Sequence, residues 1–229
     1  MYKYIFWDLD ETLLDFKWAE ATAISEVLTL LGIEPTKDVI EMYSNINLSC
    51  WKRYEKGEIT RDEIYTSRVE LFSEKLGKEI DVLKFSTEYF KRLSLQGKTF
   101  PFAVSILKIL RKKQYVMAAA TNGAATIQIH RIVNSGLAGF FAGGIFISEQ
   151  IGFKKPEPQF FDYMINAMGI ENKNQVLVIG DSQSSDIKGA VLSGLDSCFV
   201  NLKDERVNND FKPTYVVNSL EEIIDVCKL

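Results

Sequence analysis

The stretch Tyr4-Ile-Phe-Trp-Asp-Leu-Asp-Glu-Thr-Leu-Leu14 opens as an apolar run, Tyr4 to Trp7, of aromatic and β-branched residues. That is the composition of a buried strand. The run stops at two carboxylates, Asp8 and Asp10, one residue apart. A short buried strand ending in Asp-x-Asp delivers both acids to the carboxyl edge of a sheet, and in open α/β sheets ligands bind at that edge. Acids held this close repel each other unless a cation lies between them or one keeps its proton. An Asp pair in a polar turn has the same local appearance, so the residues that follow decide between the two.

Beyond Leu14 the pattern turns helical. Trp18, Ala21, Ile24, Leu28 and Leu31 form one stripe, closed by Gly32. Thr36 is the expected N-cap of a second helix running through Val39, Ile40 and Tyr43 toward Trp51. Thr60-Arg-Asp-Glu63 has the spacing of a capping box and opens a third helix that reaches Gly77. A fourth covers Val82 to Leu93. From Pro101 onward strands and helices alternate. Strands are expected at Tyr115–Ala120, Gly144–Ile147, Val176–Ile179, Ser197–Val200 and Tyr215–Val217. Helices lie between them, the one after Asp181 over Asp186–Ser193 and the last over Leu220–Val226. This alternation with short loops predicts an α/β fold, a doubly wound and mostly parallel sheet, interrupted after its first strand by a four-helix insertion. The expected division is a core of residues 1–15 and 99–229 and a helical cap of residues 16–98.

Four polar clusters fall where a strand ends or a loop follows one: Asp8 with Asp10, Thr121-Asn122-Gly123, Lys154-Lys155, and Asp181 with Asp186. Parallel strands bring all four to one edge. Thr121-Asn-Gly precedes a helix, where a hydroxyl and free backbone N–H groups make an anion site; the same residues also serve as a plain N-cap and turn. Lys155 precedes Pro156, which favours an extended backbone, whereas Lys154 reads as a solvated surface lysine. Converging carboxylates call for a hard cation, and Mg²⁺ suits oxygen ligands. Each cluster alone has an ordinary structural explanation; their order along the chain gives them weight as a set.

The chain has 229 residues, 46% hydrophobic and 25% charged, with a formal net charge of -4. No basic block supports nucleic-acid binding, and no apolar run is long enough to span a bilayer. No signal-peptide layout precedes the first strand. Cys50, Cys198 and Cys227 are odd in number and far apart, the pattern of reduced thiols in a cytoplasmic protein. His130, the only histidine, lacks a neighbouring Ser or Cys pattern and reads as structural, so a Ser-His-Asp hydrolase has little support.

With these residues in view, the chain resembles the haloacid dehalogenase superfamily. The matching segments are Asp8-Leu-Asp-Glu-Thr12, Thr121-Asn-Gly123, Lys155-Pro156, and Gly180-Asp181-Ser182 with Asp186. Asn47-x-x-x-Trp51 through Glu63, with Leu14-Asp-Phe16, is similar to the pyrimidine 5′-nucleotidase branch. The resemblance implies a phosphatase with Asp8 as nucleophile and Asp10 as general acid and base. It implies Thr121, Asn122 and Gly123 around the phosphate, and Lys155 orienting Asp8. Mg²⁺ would be held by Asp8, the backbone carbonyl of Asp10, Asp181 and Asp186. Asn47 and Trp51 are expected to offer an amide and an aromatic face to a pyrimidine. The implied substrate is a small phosphate ester, a nucleoside monophosphate foremost, handled by a monomer or homodimer. A sugar phosphatase or phosphomutase, a dehalogenase and a non-catalytic binding module are the alternatives.

Overall fold

The structure, a computed structural model, describes residues 1–227. Its centre is β1 (Tyr4–Trp7), whose alternate residues pack on opposite faces of the sheet. Ile5 and Trp7 join one apolar cluster and Phe6 the other, as expected of a strand covered by helices on both sides. The chain then runs through α1 (Phe16–Leu30), α2 (Lys37–Glu55), α3 (Arg61–Leu76) and α4 (Val82–Ser94) before returning through α5 (Ala103–Lys112) to β2 (Val116–Thr121). There follow α6 (Ala125–Asn134), β3 (Ile145–Ile147), α7 (Ser148–Ile151), α8 (Pro158–Ala167) and β4 (Val176–Gly180). The remainder is a wide turn at Gln183–Ile187, α9 (Lys188–Leu192), β5 (Asp196–Val200), β6 (Tyr215–Val217) and α10 (Ile223–Val226).

The sheet order is β3-β2-β1-β4-β5-β6, with each neighbouring pair parallel. The chain moves outward from β1 to β2 and β3, then crosses back to β4 on the other side of β1. That reversal is a topological switch point, and the crevice beyond the carboxyl ends of β1, β2 and β4 is where such folds bind ligands. The helices α5 and α10 cover one face of the sheet, and α8 and α9 the other.

Helices α1–α4 pack on an apolar cluster of their own, to which α6 adds Ile127. Their ends follow local chemistry. Asp15, Thr36 and Asp81 accept bonds from the first turns of α1, α2 and α4, and Thr60 with Glu63 forms the full capping box at α3. The two crossings between this bundle and the sheet run side by side. Leu14 pairs with Thr99, Asp15 N–H donates to the Lys98 carbonyl at 3.0 Å, and Lys98 pairs with Asp15 at 2.9 Å.

Strand boundaries match expectation to within a residue. The segment from Asp186 to Ser193 does not form the single helix its sequence predicts. Gln183–Ile187 is wound more widely than an α-helix and only Lys188–Leu192 continues regularly; such wide turns concentrate at functional sites, and this one holds Asp186. Cys50, Cys198 and Cys227 are buried and free. Among the described residues no helix is long and apolar enough to cross a membrane.

The bundle's aromatic centre joins Phe85 to Tyr43 at 5.5 Å and to Phe72 at 6.0 Å between ring centroids. Phe85→Ala is expected to lower stability by about 3–5 kcal/mol, measured as a shift of the urea midpoint at unchanged slope.

Candidate active site

Four strand ends and loops supply the site. β1 ends at Asp8, whose N–H donates to the Ile179 carbonyl of β4 at 2.8 Å, which fixes the aspartate beside the neighbouring strand. The Lys155 ammonium is 2% exposed. It donates to Asp8 Oδ1 at 2.7 Å, to Asp186 Oδ1 at 2.6 Å and to the Ala120 carbonyl at 2.8 Å. The Lys155 backbone is held as firmly: its N–H donates to Asn122 Oδ1 at 3.0 Å, and Asn122 Nδ2 donates to its carbonyl at 2.9 Å. The buried Thr12 hydroxyl donates to Asp8 Oδ2 and accepts from Asp181 N–H, both at 3.0 Å. Asp186 Oδ2 accepts from Ser182 N–H at 3.1 Å. A Cβ at Gly180 would collide with the Asp186 carboxylate, so the glycine before Asp181 makes room for it.

Asp8, Asp181 and Asp186 each offer an oxygen, and the three atoms lie within 4.8 Å of one another. With all three ionised, the carboxylates outweigh the Lys155 ammonium by two charges, which one divalent cation cancels. An all-oxygen set of this kind suits a hard cation, so the residues fit Mg²⁺. The Asp10 carboxylate lies outside the group. Its Oδ1 pairs with Arg131 and its Oδ2 accepts from Gln128 Nε2 at 2.9 Å, which leaves the backbone carbonyl as the ligand Asp10 would offer.

Burial pushes the Asp8 carboxyl well above its ordinary range. Lys155 opposes the shift, and Asp186 and Asp181 add to it. Burial pulls Lys155 the other way, but Asp186 and Asp8 outweigh it and hold the ammonium charged. Burial, then Asp186 and Glu11, push Asp181 up to about 7 against the opposing Lys203. Lys203 Nζ lies 3.2 Å from both Asp181 and Glu11.

Thr121 is buried at the end of β2, and its hydroxyl oxygen accepts from Gln128 Nε2 at 2.8 Å and from Gly123 N–H at 3.1 Å. With both lone pairs taken, its own proton is what it can give to an incoming oxygen. Gly123 N–H is therefore committed to Thr121, and the Asn122 side chain braces the lysine loop.

The structure corrects two readings. Asn47 does not offer its amide to the site. It is buried inside the bundle, donating to Glu20 Oε1 at 2.6 Å and accepting from Arg68 Nη1 at 3.1 Å; a buried amide must find partners, and here two neighbouring helices provide them. Lys154 is not a free surface lysine, since it bonds the Tyr54 carbonyl and sits 3.8 Å from the Tyr54 ring centroid. Trp51 is half-buried, edge-to-face with Tyr54 at 5.8 Å. Sequence reasoning did not single out Gln128, Arg131, Arg61 or Glu55. Arg61 reaches the Asn122 carbonyl at 2.9 Å and Ser148 Oγ at 2.6 Å, and Glu55 accepts from Ser184 Oγ at 2.7 Å. Glu55 and Arg61 both fall in the Asn47-to-Glu63 stretch that resembles the nucleotidase branch, and Arg61 within the capping box, which are the local signals that could have found them.

The switch-point crevice and its acidic edge define an α/β protein with a ligand site, fit for a divalent cation, beyond the carboxyl ends of its central strands. Residues 2–194 match the family model of the haloacid dehalogenase-like hydrolases, and the chain belongs to that family. It is similar along its length to the pyrimidine 5′-nucleotidase PynA of Streptococcus pneumoniae, 33% identical over 224 residues, which cover 98% of this chain and 94% of the relative. The pyrimidine 5′-nucleotidase YjjG of Escherichia coli is 29% identical over 220 residues, 96% of this chain and 95% of that one. The crystal structure of the HAD-hydrolase YfnB from Bacillus subtilis, bound to magnesium and revealing interdomain movement, superimposes with a TM-score of 0.94 at 32% identity. It covers 100% of this chain and 99% of that chain. The chain is a phosphatase of this family.

Two measurements check this electrostatic account. Lys155→Met leaves two carboxylates buried without their counter-charge and is expected to cost about 3–5 kcal/mol in a urea titration with chelator present. Binding of Mg²⁺ needs Asp181 as a carboxylate, and without metal that carboxyl keeps its proton below about pH 7. Magnesium affinity should therefore weaken as pH falls below that value, by at most about tenfold per pH unit for one proton, with proton release seen by calorimetry in buffers of differing ionisation enthalpy. The raised value also stabilises the metal-free fold at low pH, a contribution lost as pH climbs from about 4 toward 7.

Proposed function

We propose that the protein is a magnesium-dependent phosphomonoester hydrolase acting through an aspartyl-phosphate, with pyrimidine nucleoside 5′-monophosphates as substrates. The observation that carries this reading is the position of Asp8: at the end of the central strand, against a charged lysine, in a group of acids that fits a divalent cation. A carboxylate so placed can attack phosphorus and hold the phosphoryl group covalently. Asp10 would give a proton to the departing oxygen and take one from the water that opens the intermediate. Thr121, with its one free proton, and the Asn122 backbone N–H would face the phosphoryl oxygens, the Gly123 N–H serving instead to hold the Thr121 hydroxyl, and Lys155 would orient Asp8 and offset charge at the reacting centre. Asp8, Asp181, Asp186 and the Asp10 carbonyl would hold Mg²⁺, which supplies charge neutralisation for phosphoryl transfer.

In this reading residues 1–15 and 99–229 form the catalytic core and 16–98 the cap, divided at the paired crossings of Leu14 and Thr99. The cap would exclude water and select the leaving group. The pyrimidine preference is supported by the likeness to PynA and YjjG. Of the two cap residues expected at the base, Trp51 alone remains partly accessible. The second acid and the Asp181–Asp186 pair favour phosphate hydrolysis over dehalogenation, which needs neither.

Uridine and thymidine monophosphates, purine monophosphates, glycerol phosphate and p-nitrophenyl phosphate, each assayed with Mg²⁺ and with chelator, test the proposal. Phosphate release should require Mg²⁺ and be fastest, by kcat/KM, with the pyrimidine nucleotides. Asp8→Asn should reduce release to the level without enzyme at saturating metal. Retained activity in that variant, or equal rates across the panel, overturns the nucleophile or the base preference respectively.

A further inference from the structure

The acid expected to donate the proton is held by residues that no motif includes. Arg131 and Gln128 lie one turn apart on α6, facing the sheet edge, and each is 1% exposed. Arg131 Nη1 pairs with Asp10 Oδ1, and Gln128 Nε2 donates to Asp10 Oδ2 at 2.9 Å. The two are joined to each other, Arg131 Nη1 to Gln128 Oε1 at 3.0 Å. The guanidinium is braced in turn: Nε donates to the Gln96 carbonyl at 3.2 Å, and the group lies 5.4 Å from the Phe16 ring centroid. Phe16 and Gln96 flank the two crossings between sheet and bundle. Gln128 also holds the Thr121 hydroxyl at 2.8 Å. Its place is prepared by Gly123, where a Cβ would come within 2.6 Å of the Gln128 side chain.

Each Asp10 oxygen thus spends one acceptor site on α6 and keeps another. The carboxyl group cannot rotate without breaking the part-buried charged contact to Arg131, so the directions of its remaining sites are fixed. A general acid is effective when its proton is already aimed at the leaving oxygen.

We propose that Arg131 and Gln128 are positioning residues that fix the direction in which Asp10 exchanges its proton. The inference rests on the phosphatase reading above. In the first half-reaction a bond forms between an Asp8 oxygen and phosphorus, and the bond from phosphorus to the leaving oxygen breaks. The proton of the Asp10 carboxyl passes to that oxygen, which leaves as an alcohol while Asp10 becomes a carboxylate held by Arg131. In the second, Asp10 takes a proton from water as the water oxygen attacks phosphorus, which returns Asp10 to its acid form and releases phosphate and the Asp8 carboxylate.

The leaving group separates this role from a structural one. A nucleoside or glycerol leaves as an alkoxide that needs the proton; p-nitrophenolate leaves without it. Since kcat/KM reports steps up to departure of the leaving group, Arg131→Met should lower kcat/KM for uridine monophosphate and glycerol phosphate by about 100-fold or more, the scale of general acid catalysis. The loss on p-nitrophenyl phosphate should be at least about tenfold smaller, and Arg131→Lys should recover part of the difference. If Arg131→Met does not fold, the same ratio measured for Arg131→Lys and Gln128→Ala decides. Equal losses on alkyl and aryl esters, or no loss on either, overturn the positioning role. Failure of the wild-type protein to hydrolyse any of these esters with Mg²⁺ instead overturns the phosphatase reading beneath it.

Discussion

The Lys155 ammonium has three protons and three acceptors, on Asp8, Asp186 and the Ala120 carbonyl, all away from water. A lysine buried to this degree is tolerable only when every donor is answered and its charge is opposed. The acceptors come from the end of β1, the end of β2 and the wide turn after β4, while the lysine comes from the loop after α7. Four pieces of chain distant in sequence therefore have to meet within hydrogen-bonding distance, and the parallel sheet with its reversal at β1 brings them together. The Asn122 amide completes the arrangement by gripping the Lys155 backbone from both sides. The side chain and the main chain of this residue are each anchored to the ends of the central strands, so the lysine loop has little freedom to drift from Asp8.

That balance leaves the site negative. One ammonium answers two of the three clustered carboxylates, and the third, Asp181, pairs with Lys203 from the segment after β5. Burial and mutual repulsion raise Asp8 and Asp181. A carboxylate kept out of water beside other acids interacts strongly with any cation that replaces the lost solvent. The wide turn at Gln183–Ile187 and the bare Gly180 belong to the same design, since both let the Asp186 carboxylate stand close to the β4 strand end. In that wide turn, where the sequence suggests a regular helix from Asp186 onward, the Asp186 carboxylate stands between Lys155 and the Ser182 N–H.

Much of this was legible because its signals are local. The apolar run before Asp8, the capping box at Thr60 and Glu63, and the glycines after helices report on a few residues at a time. The four polar clusters could be placed at one edge because parallel topology allows little else. What the sequence hid depends on packing between distant elements. Gln128 and Arg131 look like the polar stripe of an amphipathic helix until that face proves to lie against the catalytic edge. Asn47 has the spacing of a residue shared with Trp51 on one helical face, but Glu20 from α1 and Arg68 from α3 claim it. Lys155, directly before Pro156, reaches Asp8 as its position in the sequence suggests, whereas the contact of Lys154 with Tyr54 depends on the course of the loop and on a helix of the bundle, which the sequence does not show.

The bundle meets the sheet edge through contacts of a particular kind. Arg61 reaches Asn122, which itself grips the lysine loop, Glu55 reaches Ser184 in the wide turn, and Lys154 reaches Tyr54. Each is a polar or charged contact made by, or to, a residue in or next to one of the polar clusters at the sheet edge. The large apolar clusters of bundle and sheet are separate, apart from the contribution of Ile127 from α6. Polar interfaces between units that keep their own cores can part without exposing either core to water. The two chain crossings, paired at Leu14 and Thr99, and the face of α6 that carries Ile127 and Arg131 form the join between them. The helix at the join therefore also carries the side chains that hold Asp10, so the acid is fixed from the part of the boundary where apolar packing and the chain crossings coincide.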